Sequence, residues 1–427
     1  MARLSWSRRL LGALCCALLL LAPLACDDAT GVGGELIDPS EAGPQHVALP
    51  LDVEPVQYAP ITGSAGIRNT SRFLAGQTTG DPLGDVTATG YVDFRPSPSN
   101  VDPSGASIDS VQLRLRPAAN AFYGDTTQTT ELALYDLEEE WEAAGARADT
   151  SLSGIVESQR ITTFSVAPGD SLVSASLPSS WIADHADQLR LGGDSTFTEA
   201  FHGFQARPVE GGNVAAFRSA ATSLRIVFED EDFSAVAYPL TRQLTTIRQP
   251  NPQQPDGRHV LQSGTGRALA FDFDDGLFPD SLRSASVNSA SLVLETDSVL
   301  AGTPPGYTRP RLDQLNVYDA TADDSLRLLP GFDARTPARL SLSSDRARFD
   351  VAEFPLQRFV QNALLDTSEI DRLHLRPGPS EGVPLLVRNT PRGAIGVVPT
   401  SLVSALVLSG DEDSAAQLEL VYTSTDE

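Results

Sequence analysis

The stretch ASIDSVQLRLRP, Ala106–Pro117, decides the fold class because its side chains alternate between apolar and polar. Val111, Leu113 and Leu115 fall on one side of an extended chain, and the polar residues between them fall on the other. This period of two predicts a β-strand with one face on a core and the other in water.

A second copy of this pattern occurs later in the chain. The stretch ASVNSASLVLET, Ala285–Thr296, opens in the same way and alternates into a strand. Two further matches follow in the same order: LALYD (Leu132–Asp136) with LNVYD (Leu315–Asp319), and SLRIVFED (Ser223–Asp230) with QLELVYTS (Gln417–Ser424). Three ordered matches at similar spacing predict a tandem duplication.

Clusters of Gly, Pro, Asp and Ser, such as PSPSNVDPSG and GTPPGY, separate the apolar runs and are typical of turns. Many short strands joined by such turns predict an all-β fold of two tandem antiparallel β-sandwich domains, jelly-roll-like, with few short helices. The helix candidates are LEEEWEAAGAR, from Leu137, and FPLQRFVQNALL, from Phe354. The predicted division is a signal peptide at 1–25, a flexible tether at 26–54, and sandwich domains at 55–230 and 231–427.

The N-terminal residues are typical of an export signal. Three arginines precede the apolar block Leu10–Ala22, which is too short for a comfortable membrane span. Leu24, Ala25 and Cys26 resemble a bacterial lipoprotein signal, in which the cysteine becomes the acylated mature N-terminus, although Pro23 departs from that pattern. Ordinary cleavage after Ala25 is the alternative. We expect Cys26 to carry a lipid and the tether to lift the body off a membrane of the bacterial cell envelope.

The composition excludes several kinds of chemistry. All 31 basic residues are arginine, so a P-loop lysine or a Schiff-base lysine is impossible. The 56 acidic residues give a net charge of −25, which disfavours nucleic acid and anionic lipid surfaces. The three cysteines all lie within the first 26 residues, so a mature chain beginning at Cys26 has no internal disulfide. Expected partners are the membrane, through the N-terminal lipid, and a glycan or an envelope protein.

Four segments carry a family resemblance. Ala75–Phe94, Asp109–Val111, Tyr123–Asp125 and Phe201–Pro208 resemble successive parts of an uncharacterised family of bacterial outer-envelope lipoproteins. The resemblance is good over about 75–230 and weak beyond, because the second half lacks the Asp-Pro-x-Gly segment. It implies a jelly-roll-like fold and an envelope location, and it carries no known activity.

Two of the matched features also have a physical reason. Asp-Pro-x-Gly at Asp81–Gly84 suits a tight turn, because Pro fixes φ and Gly tolerates positive φ. Tyr-Gly-Asp at Tyr123–Asp125 is typical of a turn with an aromatic anchor. Both segments are interpreted as structural, with a functional role as the alternative.

The acidic loop DFDDGLFPD is the candidate metal site. Hard cations such as calcium bind six to eight oxygens, and four carboxylates surround a Gly and a Pro here. The spacing does not match an EF-hand loop, and a solvated strand face entering a turn explains the same residues. A structural calcium ion is therefore the only cofactor considered, and its candidate ligands are Asp272, Asp274, Asp275 and Asp280.

Two tryptophans are candidate ligand contacts, because exposed indole rings stack on sugars. Trp141 and Trp181 are the tryptophans of the mature chain, and burial in a core is the alternative for both. The acidic run Glu138–Glu140 beside Trp141 suggests glycosidase chemistry only weakly, because adjacent carboxylates rarely flank one substrate.

These observations lead to two hypotheses about the function. The first is a lipid-anchored cell-envelope protein of non-enzymatic binding or structural type, with no catalytic residue assigned. The alternative is a secreted glycan-active enzyme on a jelly-roll scaffold.

Overall fold

The fold is seen in a computed structural model. It describes residues 43–424 except for 66–71, 96–104, 145, 151, 153–156, 192–194, 230–234, 256–257, 274–275, 298–302, 311, 313, 321–325, 329–338, 343–347, 352, 366–371, 378–404 and 409–415.

The first antiparallel sheet holds thirteen of the described strands. They are β3 (Ser64–Ala65), β4 (Arg72–Gln77), β5 (Thr87–Phe94), β6 (Ile108–Leu115), β7 (Pro117–Asp125), β8 (Thr130–Leu137), β9 (Glu157–Val166), β10 (Val173–Ser176), β11 (Phe204–Glu210), β12 (Asn213–Arg218), β13 (Ser223–Phe228), β14 (Ala235–Arg248) and β18 (Tyr307–Thr308). Their order is β10-β6-β13-β14-β5-β4-β12-β7-β18, with β3 on β14, β11 joining β5 to β8, and β9 on β8.

The second antiparallel sheet holds the other twelve described strands. They are β1 (Gln45–Pro50), β2 (Val53–Gln57), β15 (Val260–Gln262), β16 (Arg267–Asp272), β17 (Ser286–Asp297), β19 (Gln314–Ala320), β20 (Leu326–Leu328), β21 (Arg339–Leu342), β22 (Arg348–Val351), β23 (Arg372–Pro377), β24 (Ala405–Leu408) and β25 (Ala416–Thr423). Their order is β1-β25-β17-β22-β21-β19-β23-β16-β15-β24, with β2 on β16 and β20 on β19. The all-β antiparallel class is therefore confirmed.

The first sheet folds over itself into a sandwich, which we call the first body. The long strand β14 joins its two layers: Tyr238 lies opposite Leu224 of β13, and Leu244 lies opposite Tyr91 of β5. Helices α1 (Ser179–Leu189) and α2 (Ser195–Ala200) cover one end. Both layers contribute side chains to a common core, including Phe73, Phe94, Leu113, Phe204, Phe217, Leu224 and Tyr238.

The second sheet and helix α3 (Glu353–Leu364) form the second body. The helix is the one predicted from FPLQRFVQNALL, and its apolar residues Leu356, Phe359, Val360 and Leu364 are buried against the sheet. Gln357 and Gln361 fix it to β17, through hydrogen bonds with the carbonyl and N–H of Val287.

The predicted helix at LEEEWEAAGAR is wrong over its described residues. Strand β8 runs to Leu137, and the following residues have no helical assignment. The reason is tertiary packing, which overrides helix propensity here. Leu137, Trp141 and Ala143 are buried in one cluster, where they pack against Tyr91 and Leu244. The irregular backbone of this segment allows these contacts.

The two bodies share their strand pairing. In the first body β6 pairs with β13 and places Leu113 opposite Leu224. In the second body β17 pairs with β25 and places Leu292 opposite Leu418, which are the matching positions of the repeated segments. Identical register in both bodies is the arrangement that a tandem duplication predicts.

A β-bulge is shared as well. The pairing of β6 skips Asp109, and the pairing of β17 skips Asn288, which is the matching residue of the second copy. A bulge is a specific feature of a strand pair, so its repetition at one position is further support for duplication.

The two bodies exchange equivalent segments. The run VAYPL (Val236–Leu240) begins β14, which lies beside β13 of the first body. A similar run, VALPL (Val47–Leu51), spans β1, which lies beside β25 of the second body. Leu49 faces Leu418 as Tyr238 faces Leu224, so the two runs occupy equivalent places. Each repeat begins with a strand that completes the other repeat.

Two of the expected boundaries need correction. The tether predicted at 26–54 overlaps strands β1 and β2, because Val47, Leu49, Leu51 and Val53 alternate and face the core of the second body. The boundary predicted between 230 and 231 assigns β14 to the second domain, whereas β14 pairs with β13 and β5 of the first body. Because the segments are exchanged, no single cut of the chain separates the two bodies.

Candidate functional site

The Asp-Pro-x-Gly segment lies in a buried turn between the two bodies. The N–H of Gly84 donates to the carbonyl of Asp81 at 2.8 Å, which closes the turn. Gly84 has φ +98°, and a Cβ there would lie 2.3 Å from the carbonyl oxygen of Asn251. This position therefore requires glycine, as the sequence analysis expects of the turn.

Residues at the start of the second repeat hold this turn. The side-chain amide of Gln249 donates to the carbonyls of Leu83 and Gly84, both at 2.9 Å. The N–H of Gln253 donates to the carbonyl of Leu83 at 2.8 Å. Leu83 itself packs with Val260 and Val407 of the second body.

Asp81 is the centre of a buried polar cluster, which we call the Asp81 cluster. One carboxylate oxygen accepts from Arg309 at 2.7 Å and from the N–H of Leu83 at 2.9 Å. The other accepts from the hydroxyl of Tyr123 at 2.5 Å, and that hydroxyl in turn accepts from Gln262 at 2.8 Å. The cluster joins two segments of the first body to two segments from the second half of the chain, Gln262 of β15 and Arg309 directly after β18.

The electrostatics of the Asp81 cluster favour one protonation state. Burial, and then the charge of Asp81, raise the pKa of Tyr123 well above its usual value, so the phenol keeps its proton and donates it. Burial lowers the pKa of Arg309, but the hydrogen bond and charge of Asp81 raise it more, and the net direction is upward. The carboxylate is thus paired with a cation and a neutral phenol.

The Tyr-Gly-Asp segment also contacts the second half of the chain, where β18 pairs with β7. The N–H and hydroxyl of Thr126 both donate to the carbonyl of Gly306, at 3.0 and 2.8 Å. The ring of Tyr307 lies edge-on to Tyr123, and Arg309 stacks over Tyr307. The Asp-Pro-x-Gly and Tyr-Gly-Asp segments therefore meet at one junction, and their interpretation as structural agrees with these contacts.

A second polar cluster lies inside the first body, around Asp136. The carboxylate accepts from the indole N–H of Trp181 at 2.9 Å and contacts His185 Nε2 at 2.9 Å. His185 Nδ1 lies 2.8 Å from the carbonyl of Trp181, and the two rings stack at 4.1 Å. Both ring nitrogens of His185 are engaged, so this geometry leaves neither one to act as a base on a substrate.

The charge of His185 follows from these contacts. Burial lowers its pKa as the largest single effect, but the hydrogen bonds to Asp136 and to the Trp181 carbonyl together raise it more. The net direction is upward, toward an imidazolium that donates through both nitrogens. The sequence analysis missed this cluster, because His185 and Asp136 are distant in sequence.

The tryptophan candidates are both in the core. Trp141 is 4% exposed and donates its indole N–H to the carbonyl of His202 at 2.9 Å. Trp181 is 8% exposed and is enclosed by Phe201 and Phe204 as well as His185. Stacking on a sugar needs an exposed ring face, so the sugar-stacking interpretation is corrected and burial explains both residues.

The acidic-loop candidates are only partly described. Asp272 ends β16 and forms an ion pair with Arg372, and Asp280 forms one with Arg283. A guanidinium beside each carboxylate competes with a bound cation. Asp274 and Asp275 lie outside the described residues, and within the described part no three acidic, histidine or cysteine side chains form a metal-binding group.

The remaining candidates concern the N-terminus and the acidic run. Cys26 lies outside the described residues, as does the whole predicted signal peptide. In the acidic run, Glu140 contacts Arg242, which also holds the buried Asp93 at 2.9 Å. Burial is the main reason that the pKa of Asp93 is raised to about 6.

Among the described helices, none has the length and apolar character needed to span a membrane.

Comparison with known proteins leaves the family open. No protein-family model matches the chain, and no curated protein matches it. Among solved structures, a mutant VP2 protein of infectious bursal disease virus, from derived T=1 particles, aligns over 91% of this chain and 79% of its own, with 11% identity and a TM-score of 0.10. A similarity this low supports no conclusion about fold or function.

Proposed function

We propose that this chain is a lipid-anchored cell-envelope protein of non-enzymatic, structural or binding type. The observation that carries the proposal is the continuity between the expected anchor and the fold. The first described strand, β1, begins at Gln45, soon after Cys26, and is hydrogen-bonded along its length to β25 of the second body. An anchor at Cys26 would therefore be joined to the folded body through a paired strand.

The junction between the bodies supports a structural role. The Asp81 cluster and the apolar contacts around Leu83 fix two bodies that already share exchanged strands. A buried ion pair whose carboxylate oxygens are both hydrogen-bonded favours one arrangement of the groups it joins. Such a body suits a spacer or a platform held at a defined distance from a membrane.

The polar clusters support the non-enzymatic interpretation. Catalysis by acid and base needs a group with a free position toward a substrate. Asp81, Tyr123 and His185 instead have their polar atoms bonded within the fold.

The test is the mass of the N-terminal peptide of the mature protein, isolated from a membrane fraction. We expect a diacylglyceryl thioether on Cys26, and we expect Cys26→Ser to move the protein to the soluble fraction. Cys16→Ser, within the predicted signal, is the matched control and should leave the lipid in place. An unmodified cysteine in released wild-type protein would contradict the anchor, and glycan cleavage by the purified chain would favour the secreted enzyme.

A further inference from the structure

Three arginines lie side by side on the first body of this acidic protein. Arg72 of β4 faces Arg218 of β12 in the antiparallel register. The N–H of Arg218 donates to the carbonyl of Arg116 at 2.9 Å, so Arg116, which directly precedes β7, lies at the same level beside Arg218. Neighbouring strands are about 4.8 Å apart, which makes these residues a basic row across three strands. We call it the arginine row.

The arginine row has no acidic partner among the described residues, in contrast to Arg242, Arg309 and Arg372, which form ion pairs. Like charges directly opposite one another across strands are destabilising. Burial, and then the charge of Arg218, lower the pKa of Arg72, which is a second sign of this repulsion. The arginines are therefore held close together without a described acidic partner.

Two of the three arginines of the row face a groove of about 900 Å³. Arg116 and Arg218 line it, with the hydroxyls of Thr126, Ser171 and Thr308. Asp170 is the carboxylate among its described lining residues, and it accepts a hydrogen bond from the N–H of Ala167 within its own turn. The groove is therefore basic, lined with hydroxyls and of a size that accommodates a small ligand or a short polymer segment.

We propose that this groove binds a carboxylate-bearing glycan, with Arg116 and Arg218 holding its acidic groups. A guanidinium presents a planar fork that matches a carboxylate, and the hydroxyls can bond to sugar hydroxyls. A glycan is favoured over nucleic acid because the strongly acidic remainder of the chain repels a dense polyanion, whereas an acidic glycan carries its charges further apart. The assignment is independent of the N-terminal lipid.

The test uses the full mature chain, titrated by calorimetry with oligogalacturonate and, separately, with a neutral dextran oligomer. We expect oligogalacturonate to bind, more weakly as salt increases, and dextran not to bind. Arg116→Gln and Arg218→Gln should each weaken binding about tenfold, because a charged hydrogen bond is lost. Asp170→Asn removes the opposing charge and can still accept from Ala167, so it should tighten binding severalfold.

Arg248→Gln is the matched control, since Arg248 is exposed and lies outside the groove. It should leave the affinity unchanged, and circular dichroism should give the same spectrum for all variants. Absence of oligogalacturonate binding to the wild-type chain, or equal binding by the Arg116→Gln and Arg218→Gln double variant, would overturn the assignment. Tighter, arginine-dependent binding of oligoglutamate would replace the glycan by an acidic peptide.

Discussion

The side chain of Asp81 has no exposed surface, and its carboxylate is paired with Arg309. Its two oxygens accept from Arg309, Tyr123 and the chain at Leu83, so both are fully used within the protein. Removing one partner of such a pair leaves the other charge buried without compensation, which costs more than the pair itself contributes. The stability of the junction therefore depends on this one carboxylate.

We expect Asp81→Ala to lower the free energy of unfolding by about 3–5 kcal/mol, because Arg309 is left buried without its partner. Urea denaturation measures the change. Asp187→Ala is the control, since Asp187 forms an exposed ion pair with Arg190 and its loss should cost about 1 kcal/mol or less. Equal effects of the two substitutions would contradict a buried pair at Asp81.

His185 gives a prediction about pH. Its pKa is raised in the folded protein, so the stability from its contacts is fully present below the usual histidine pKa of 6.5 and is lost as pH rises through the raised value. We expect His185→Gln to destabilise the protein by about 1–3 kcal/mol near pH 5.5 and by less above pH 8. Denaturation of both proteins across this range measures the difference, and a gap that widens with pH would contradict the assignment.

The local chemistry of the residues is predictable, whereas their partners are not. Asp-Pro-x-Gly indicates a tight turn, because Pro and Gly restrict the backbone in a known way, and Gly84 does adopt positive φ. Arg309 follows Asp81 by 228 positions, and nothing local connects them. Likewise, the sequence does not show whether a tryptophan such as Trp181 is exposed or buried, because this depends on the fold around it.

Among the elements, β1 contributes to a core that is far from it in sequence. Leu49 and Leu51 are buried in the core of the second body, and the strand is held to β25 from Gln45 to Pro50. The N-terminal residues therefore belong to the fold of the body that is made last.

We expect Leu49→Ala to cost about 2–5 kcal/mol, as for other large-to-small changes in a core. A chain that begins at residue 43 should unfold at the same urea concentration as the mature protein, whereas one that begins at residue 58 lacks β1 and β2 and should unfold at a much lower concentration. Urea denaturation and circular dichroism measure both. Unchanged stability of the chain that begins at residue 58 would contradict the strand exchange.

The elements that sequence patterns predict are those with an uninterrupted period. The strands around Val111 and Leu292 and the helix with Leu356 and Val360 have such patterns, and they are present. The alternation of β1 is equally regular, but Gly- and Pro-rich residues precede it, and the segment is therefore predicted to be part of the tether. The repeated VALPL and VAYPL runs are the signal that identifies it, because a duplicated strand must have an equivalent place in each repeat.

At the scale of the whole molecule, neither body has all of its own strands. The first body takes β14 and β18 from the second half of the chain, and the second body takes β1 and β2 from the first. The bodies are additionally held by the Asp81 cluster. We infer that neither body unfolds while the other stays intact.

This predicts one cooperative transition, although the chain holds two bodies. Trp141 and Trp181 both lie in the first body, so tryptophan fluorescence reports that body, whereas far-UV circular dichroism reports both. We expect the two signals to change at the same urea concentration. In Asp81→Ala the two midpoints should stay together at a lower concentration, and separate midpoints in the wild-type chain would contradict the coupling.

The pairing of β1 with β25 also has a consequence for biosynthesis. Gln45 is bonded to Tyr422, 377 positions later, so β1, the first of the described strands to leave the ribosome, finds its partner only when synthesis is almost complete. Until then β1 has no neighbour, and contacts this distant in sequence form slowly. A chain that is cut short anywhere before β25 keeps the apolar strand β1 exposed, where a protease can recognise it as incomplete.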